Sequence, residues 1–379
     1  MKITLKNTPE QVELVKAMAS RNRDVAYEAQ TALAEFIGPV LAEVINQAPA
    51  LSNLFTTMQY NADDNPSIPL DLYFDVSDED YVQVYSQSRA GGLPTSEVLP
   101  TSSELKIATY SLDSAVSFDR RYAAKSRMDV VAKTMTRVAQ EILLKQNTIS
   151  ANVVMKALDS AATNGQTHVI SSSAATRFGL ADLNAMMTRS KRIVTSFVGG
   201  TPDARQGRGM TDIIVSPEVV EELRSIAYNP INTRGAADSA GTAGPVQTAD
   251  VIAEEAYRAA GAPEFYGINV IELNEFGVGQ KFNSLFTGTS YDAAAGGGTD
   301  FDPATAANNG DELVLGIDRS RESLIRPVAV DSENGGEFNL IADDQYSIRQ
   351  NKIGYFGSLE EGRIVLDDRA LVGCVIQGA

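Results

Sequence analysis

The side chains able to carry out chemistry are few and thinly spread. His168 is the only histidine in 379 residues, so one chain cannot build a histidine-based triad or a multi-histidine metal site. It precedes the run Ser171-Ser172-Ser173 and is read as a solvated loop residue. Aspartates occur in pairs at Asp63-Asp64, Asp343-Asp344 and Asp367-Asp368. Such a pair could hold a cation or serve as acid and base. In a chain with 49 acidic against 32 basic residues, solvated turns are the expected use. Segments 300–312 and 331–337 share the composition of a calcium-binding loop but not its spacing. Gly277-Val278-Gly279 and Gly296-Gly297-Gly298 lack the spacing of phosphate loops and read as turns. Two basic spots remain. Arg205 and Arg208 lie in one loop, and Arg319, Arg321 and Arg326 form a cluster suited to ion pairs between subunits. No set of residues converges on a catalytic centre, so the chain is read as a non-enzyme with no metal and no cofactor.

Composition narrows the class. The net charge of −17 argues against a surface built to grip phosphates. The apolar runs are too short to span a membrane, and the first residues lack the apolar core of a signal peptide. The single cysteine, Cys374, excludes an intrachain disulfide framework and fits a reducing cytoplasm. Within the run LVGCVI it reads as a small buried residue.

The elements that must carry these residues centre on one long helix, Asp129 to Ala162. Met135, Val138, Ile142, Ile149 and Val153 recur on one helical face, and no Pro or Gly interrupts the stretch. It would run roughly 50 Å. Ser126 or Asp129 could cap its start and Asn164-Gly165 its end. Upstream, Thr8-Pro9-Glu10-Gln11 has the pattern of a capped helix start with a capping box. The helix is expected to continue to about Gln47 with a bend at Gly38-Pro39. Its apolar face is expected to hold Leu33, Phe36, Ile37, Val40, Leu41, Val44 and Ile45.

Residues 60–69 read as turns. The alternating runs 81–85 and 105–110 read as a long two-stranded ribbon, which needs a partner surface because an isolated ribbon is marginal in water. After the long helix come an amphipathic helix over 181–197, a buried strand over 212–215 and a helix from Ser216-Pro217-Glu218. A further helix is expected from Thr248, then strands over 266–273 and 312–317. The tail from Phe338 reads as about three strands with glycine turns at Gly357 and Gly362. Residues 229–248 and 287–310 are read as exposed Ala/Gly/Thr loops.

This order of parts makes the fold class α+β. It resembles the major capsid protein of tailed bacteriophages, the Hong Kong 97-type fold also found in encapsulins. The parts that carry the resemblance are the ribbon 78–118, the spine 129–162, the strand-turn-helix 211–226 and the tail 346–376. The resemblance implies an N-arm over 1–60 and an extended E-loop over 61–120. It implies a P-domain spine over 121–165, an A-domain mainly over 166–310, and return strands over 311–379. It further implies pentamers and hexamers that assemble into an icosahedral head around double-stranded DNA. Arg89, Gly91, Gly92, Lys106, Arg120, Arg121, Arg319, Arg321 and Arg326 are the expected intersubunit contacts. The implied partners are a separate scaffolding protein, a portal, a cement protein and DNA bound non-specifically, with no membrane. The implied place is the virion capsid, assembled in the host bacterial cytoplasm. Lys106 is the only lysine of the ribbon and sits within a strand, so the Lys–Asn cross-link of some family members is not expected. The competing readings are an encapsulin-like compartment shell, a phage tail-tube or sheath protein, and a soluble α+β enzyme.

Overall fold

The computed structural model describes residues 8–46, 48, 50–61, 64–69, 104–125, 127–163, 166–174, 176–194, 209–228, 264–265, 267–287, 301–303, 310–330, 337–343 and 351–379. In chain order its elements begin with α1 (Pro9–Met18), α2 (Arg23–Asn46), β1 (Thr56–Asn61), β2 (Ser67–Pro69), β3 (Glu104–Lys106), β4 (Thr109–Asp119), α3 (Arg120–Ala124) and α4 (Met128–Ser160). There follow β5 (Ala162–Thr163), β6 (Gln166–Thr167), β7 (Val169–Ser171), α5 (Leu180–Val194), β8 (Asp212–Val215), α6 (Pro217–Tyr228), β9 (Glu264–Phe265) and β10 (Ile268–Glu272). The last are β11 (Glu312–Ile317), β12 (Leu324–Val330), β13 (Asn339–Asp343), β14 (Lys352–Gly362), β15 (Ile364–Val365) and β16 (Leu371–Ile376). The α+β class is as expected. The ribbon tip with Arg89, Gly91 and Gly92, the strand at 81–85, the helix from Thr248, the loops at 199–208, 229–248 and 288–300, and Asp63 and Asp344 lie outside the described residues.

The chain divides into two compact units. The first comprises Met1–Leu70, Ser103–Ser150 and Leu324–Ile364. Its sheet runs β1-β12-β14-β13, with β4 pairing along the other edge of β14. β4 and β14 are antiparallel over their whole length, from Lys352↔Asp119 to Gly362↔Thr109. The return limb of the expected ribbon therefore ends at Lys106. Residues 109–118 belong to this sheet, because strand alternation reveals a buried face but not the partner that covers an edge. The pair β2 and β3, with Ser67↔Lys106 and Pro69↔Glu104, forms an antiparallel stem at the two ends of segment 70–103.

Alternation along β14 turns Ile353, Tyr355, Gly357 and Leu359 to the core. There they join Phe118, Phe338, Leu33, Ile37, Leu41, Met135, Val138 and Ile142. Each fully buried Leu, Ile or Phe contributes about 1.5–3 kcal/mol. Gly357 is no turn. It lies mid-strand, where a Cβ would overlap the Phe338 ring.

The N-terminal helix starts as expected. Thr8 Oγ1 accepts from the Gln11 N–H at 3.4 Å, and Pro9 occupies the first turn. The second half of the capping box is not formed, since Gln11 Oε1 accepts no hydrogen bond among the described residues. The helix breaks at Ala19–Asn22, not at Gly38-Pro39. Ser20 Oγ accepts from the Asn22 N–H, and Asn22 Oδ1 accepts from the Asp24 N–H, so two polar side chains end one helix and cap the next. Pro39 sits inside α2. Leu33, Ile37, Leu41 and Ile45 are buried, whereas Phe36 is 56 % exposed and Val40 also faces out.

The second unit comprises Asp71–Ser102, Ala151–Ser323 and Val365–Ala379. Its mixed sheet runs β7-β16-β11-β8-β10-β9. β8, β11 and β16 are buried on both faces, which explains why they read as continuous apolar runs. α5 and α6 place Leu183, Met186, Val219 and Leu223 against that sheet. Cys374 is buried in it as expected.

In α4 the buried stripe departs from the expected one after Ile142. It continues through Gln146, Ser150, Val154 and Leu158, while Ile149 and Val153 are only partly buried. Two polar residues on the buried face make the apolar pattern point the wrong way.

His168 is a correction. It is fully buried, and its Nδ1–H donates to the Asp368 carbonyl at 3.1 Å. Burial lowers its pKa, opposed by the Asp368 charge and by the Asp368 and Leu371 carbonyls. The unfolded chain then takes up a proton before the folded one as pH falls. The stability linked to His168 is present above about 6.5 and is lost as pH drops from there toward the lowered folded pKa. Thermal melts should show the stability of the native chain relative to His168→Gln falling from pH 7.5 to pH 5.5.

Candidate functional site

No described group of three or more His, Cys, Asp or Glu is placed to hold a metal ion. No described helix is long and apolar enough to cross a membrane. The most elaborate polar arrangement is structural and lies in the first unit, around Glu361 near the end of β14. Glu361 follows Ile353, Tyr355, Gly357 and Leu359 on the inward face of the strand, and it is 0 % exposed. Oε2 accepts from Arg326 Nε at 2.6 Å and from Gln146 Nε2 at 3.0 Å. Oε1 accepts from the Tyr110 hydroxyl at 2.8 Å and from Arg363 Nη2 at 3.1 Å. Arg363 also donates to the Ser52 carbonyl at 3.1 Å and stacks over Phe55, 5.2 Å from the ring centre. Arg326 donates to Asn46 Oδ1 at 3.1 Å. One carboxylate thus ties β4, α4, β12, β14, the end of α2 and the turn before β1. Burial and the Glu361 charge together raise the Tyr110 pKa, so this phenol stays a donor. Beside it, outward-facing Glu360 accepts from the Tyr60 and Thr109 hydroxyls at 3.2 and 2.9 Å.

The residues expected at subunit contacts fall into three groups. Lys106 is exposed on β3, and Arg121 and Arg319 are exposed in short helical turns. Arg120 donates to the Ala19 carbonyl at 3.2 Å, and Arg321 pairs with Asp367, which also meets Arg369 at 3.3 Å. Asp367 is therefore an ion-pair partner and not a free turn carboxylate. Arg326 needs correction: it is buried, and its guanidinium is committed to Glu361 within its own chain. Glu361, Arg363 and Gln146 were not singled out from sequence. The alternation that buries Leu359 also buries Glu361 and Arg363, and a step of four from Ile142 reaches Gln146.

No protein-family profile matches the sequence, and no curated protein does. Among solved structures, the chain is similar to a chain of the capsid of an empty GTA particle. The identity is 12 %, 87 % of this chain and 91 % of that one are covered, and the TM-score is 0.48. It is similar to the holo-SrpI encapsulin complex from Synechococcus elongatus PCC 7942 at 11 % identity, 87 % and 86 % coverage and TM-score 0.43. It is similar to a chain of Microbacterium phage Oxtober96 at 12 % identity, 86 % and 90 % coverage and TM-score 0.42.

Proposed function

We propose that the chain is a structural subunit that assembles with copies of itself into a closed shell, as the Hong Kong 97-type major capsid protein of a tailed phage. The observation that carries this reading is the order of parts. A helical arm (α1, α2) is followed by the β2–β3 stem of segment 70–103, and then by the 33-residue helix α4. The α/β unit with its mixed sheet comes next, and the strands β12–β14 return to the first sheet. In this reading the N-arm, E-loop, P-domain and A-domain take the bounds given above, and pentamers and hexamers form a head around double-stranded DNA. A scaffolding protein, a portal and a cement protein are the partners, with assembly in the host cytoplasm. Exposed Lys106, Arg121 and Arg319 contribute to contacts between subunits, together with Arg89, Gly91 and Gly92. Many weak contacts repeated over a shell sum to a strong one.

Electron microscopy and size-exclusion chromatography test this on chain co-expressed with its genomic neighbours. Closed polyhedral particles are the expected result. Cylinders would move the assignment to a tail protein, and a monomer under those conditions would overturn the shell. Deleting 89–95 should abolish particles while the subunit keeps its circular-dichroism spectrum and cooperative melt. Normal particles from that deletion would remove the interlocking arm.

A further inference from the structure

The second unit holds a carboxyl group that shell formation does not call on. Glu312 opens β11 opposite Ile376 of β16 and is 3 % exposed. Its Oε1 has no hydrogen-bond partner among the described residues. It faces the start of α6, where Ser216 caps the helix by accepting from the Val219 N–H at 3.2 Å. Glu218 and Glu222 of α6 both act on it. Gly277, at φ +117°, presses bare backbone against this corner. A Cβ there would lie 3.3 Å from Glu218 Oε2 and 3.5 Å from Ser216 Cβ.

The charges around the corner are mostly negative. Glu222 accepts from the Phe178 N–H at 2.6 Å and feels Arg177, but also Asp182 of α5 and Glu221. Asp182 accepts from the Ser173 and Gly179 N–H groups at 2.6 and 2.8 Å. Among the described residues no Lys or Arg acts on Glu312 itself, and only the Ser216 hydroxyl favours its ionised form. A buried carboxylate without a cation is costly, and the least costly remedy is a proton.

We propose that Glu312 is a proton-binding site, and that loss of its proton sets a third negative charge against Glu218 and Glu222 and loosens the β11–α6 corner. The Glu312 contribution to the stability of the second unit is then greatest in mildly acidic conditions and is lost toward neutrality. Burial is the main cause, with Glu218 and Glu222 adding to it, and together they push the Glu312 carboxyl up to about 7 from its usual 4.5. Between those values the folded chain holds a proton that the unfolded chain has lost. The associated stability is complete below about 4.5 and gone above about 7.

The test compares denaturant unfolding of the 379-residue native chain and Glu312→Gln between pH 5 and 8. Glutamine keeps the shape and never ionises. The ratio of native to variant folding constants should fall about tenfold per pH unit up to about pH 7, then level off. His168 acts in the opposite direction and cancels in the ratio. A ratio independent of pH overturns the proposal. If the variant does not fold, amide hydrogen exchange of the His168→Gln chain, which lacks the opposing group, decides, corrected for the intrinsic pH dependence. Protection over 212–224 and 312–317 that decreases between pH 5.5 and 7.5 supports the site, and constant protection there overturns it. The readout does not depend on shell formation.

Discussion

Glu361→Ala should destabilise the first unit by about 3–5 kcal/mol, the cost of leaving one member of a buried ion pair without its partner. Two guanidiniums lose their counter-charge at once. Arg326 and Arg363 are 3 % and 7 % exposed, and neither can reach bulk water without opening the core. Gln146 and Tyr110 lose an acceptor as well. Glu361→Gln should recover only part of this, because the amide keeps one acceptor oxygen but brings N–H donors toward Arg363 or Arg326. The triple substitution Arg326→Met, Glu361→Leu, Arg363→Met should be much milder than the single one, since apolar replacement removes the desolvation cost along with the attraction. Chemical denaturation of the three chains checks the order. A single variant within about 1 kcal/mol of native would mean that the arginines find other partners, and the cluster would lose its role as the tie between six segments.

Gly357→Ala should cost about 2–3 kcal/mol, at the upper end of overpacking penalties. The Phe338 ring lies over the bare backbone of β14 at this residue, and it is itself only 5 % exposed. A methyl group there must push the ring aside or bend the strand that pairs with β4 and β13. A smaller residue at 338 should relieve the clash. Gly357→Ala with Phe338→Leu is therefore expected to be less destabilised than the sum of the two single changes, a coupling that a double-mutant cycle reads directly. Strict additivity would show that ring and glycine do not meet.

Features that depend on local sequence were legible in advance. Thr8-Pro9 marks a helix start, the uninterrupted stretch from Asp129 marks α4, and Ser216-Pro217-Glu218 marks the β8–α6 turn. Features that depend on a remote partner were not. The strand β1 reads as polar, TTMQYN, and is fixed by parallel pairing with β12. Gly357 looks like a turn until Phe338 is brought over it. Arg326 reads as an intersubunit residue and His168 as a solvated one because their partners, Glu361 and the Asp368 carbonyl, are 35 and 200 residues away. Ile149 and Val153 read as core from apolar spacing alone, whereas Gln146 and Ser150 take the buried face. For Arg326, His168 and Gln146 a polar side chain is satisfied inside the protein by a group that sequence spacing does not reveal. The intersubunit expectations share this weakness, and the burial of Arg326 shows how a cluster in sequence can point in separate directions in the fold.

The placement of β14 and β16 has a consequence for synthesis. Both are interior strands: β14 lies between β4 on one side and β13 and β12 on the other, and β16 between β7 and β11. Both come from Lys352–Ile376, so a nascent chain still short of Lys352 lacks the strand that joins β4 to β12 and β13 in one sheet and the strand that joins β7 to β11 in the other. The ribosome must deliver β14 and β16 before either unit can close, and such non-local pairing is slow to form. A polypeptide that stops before Lys352 therefore cannot complete either unit.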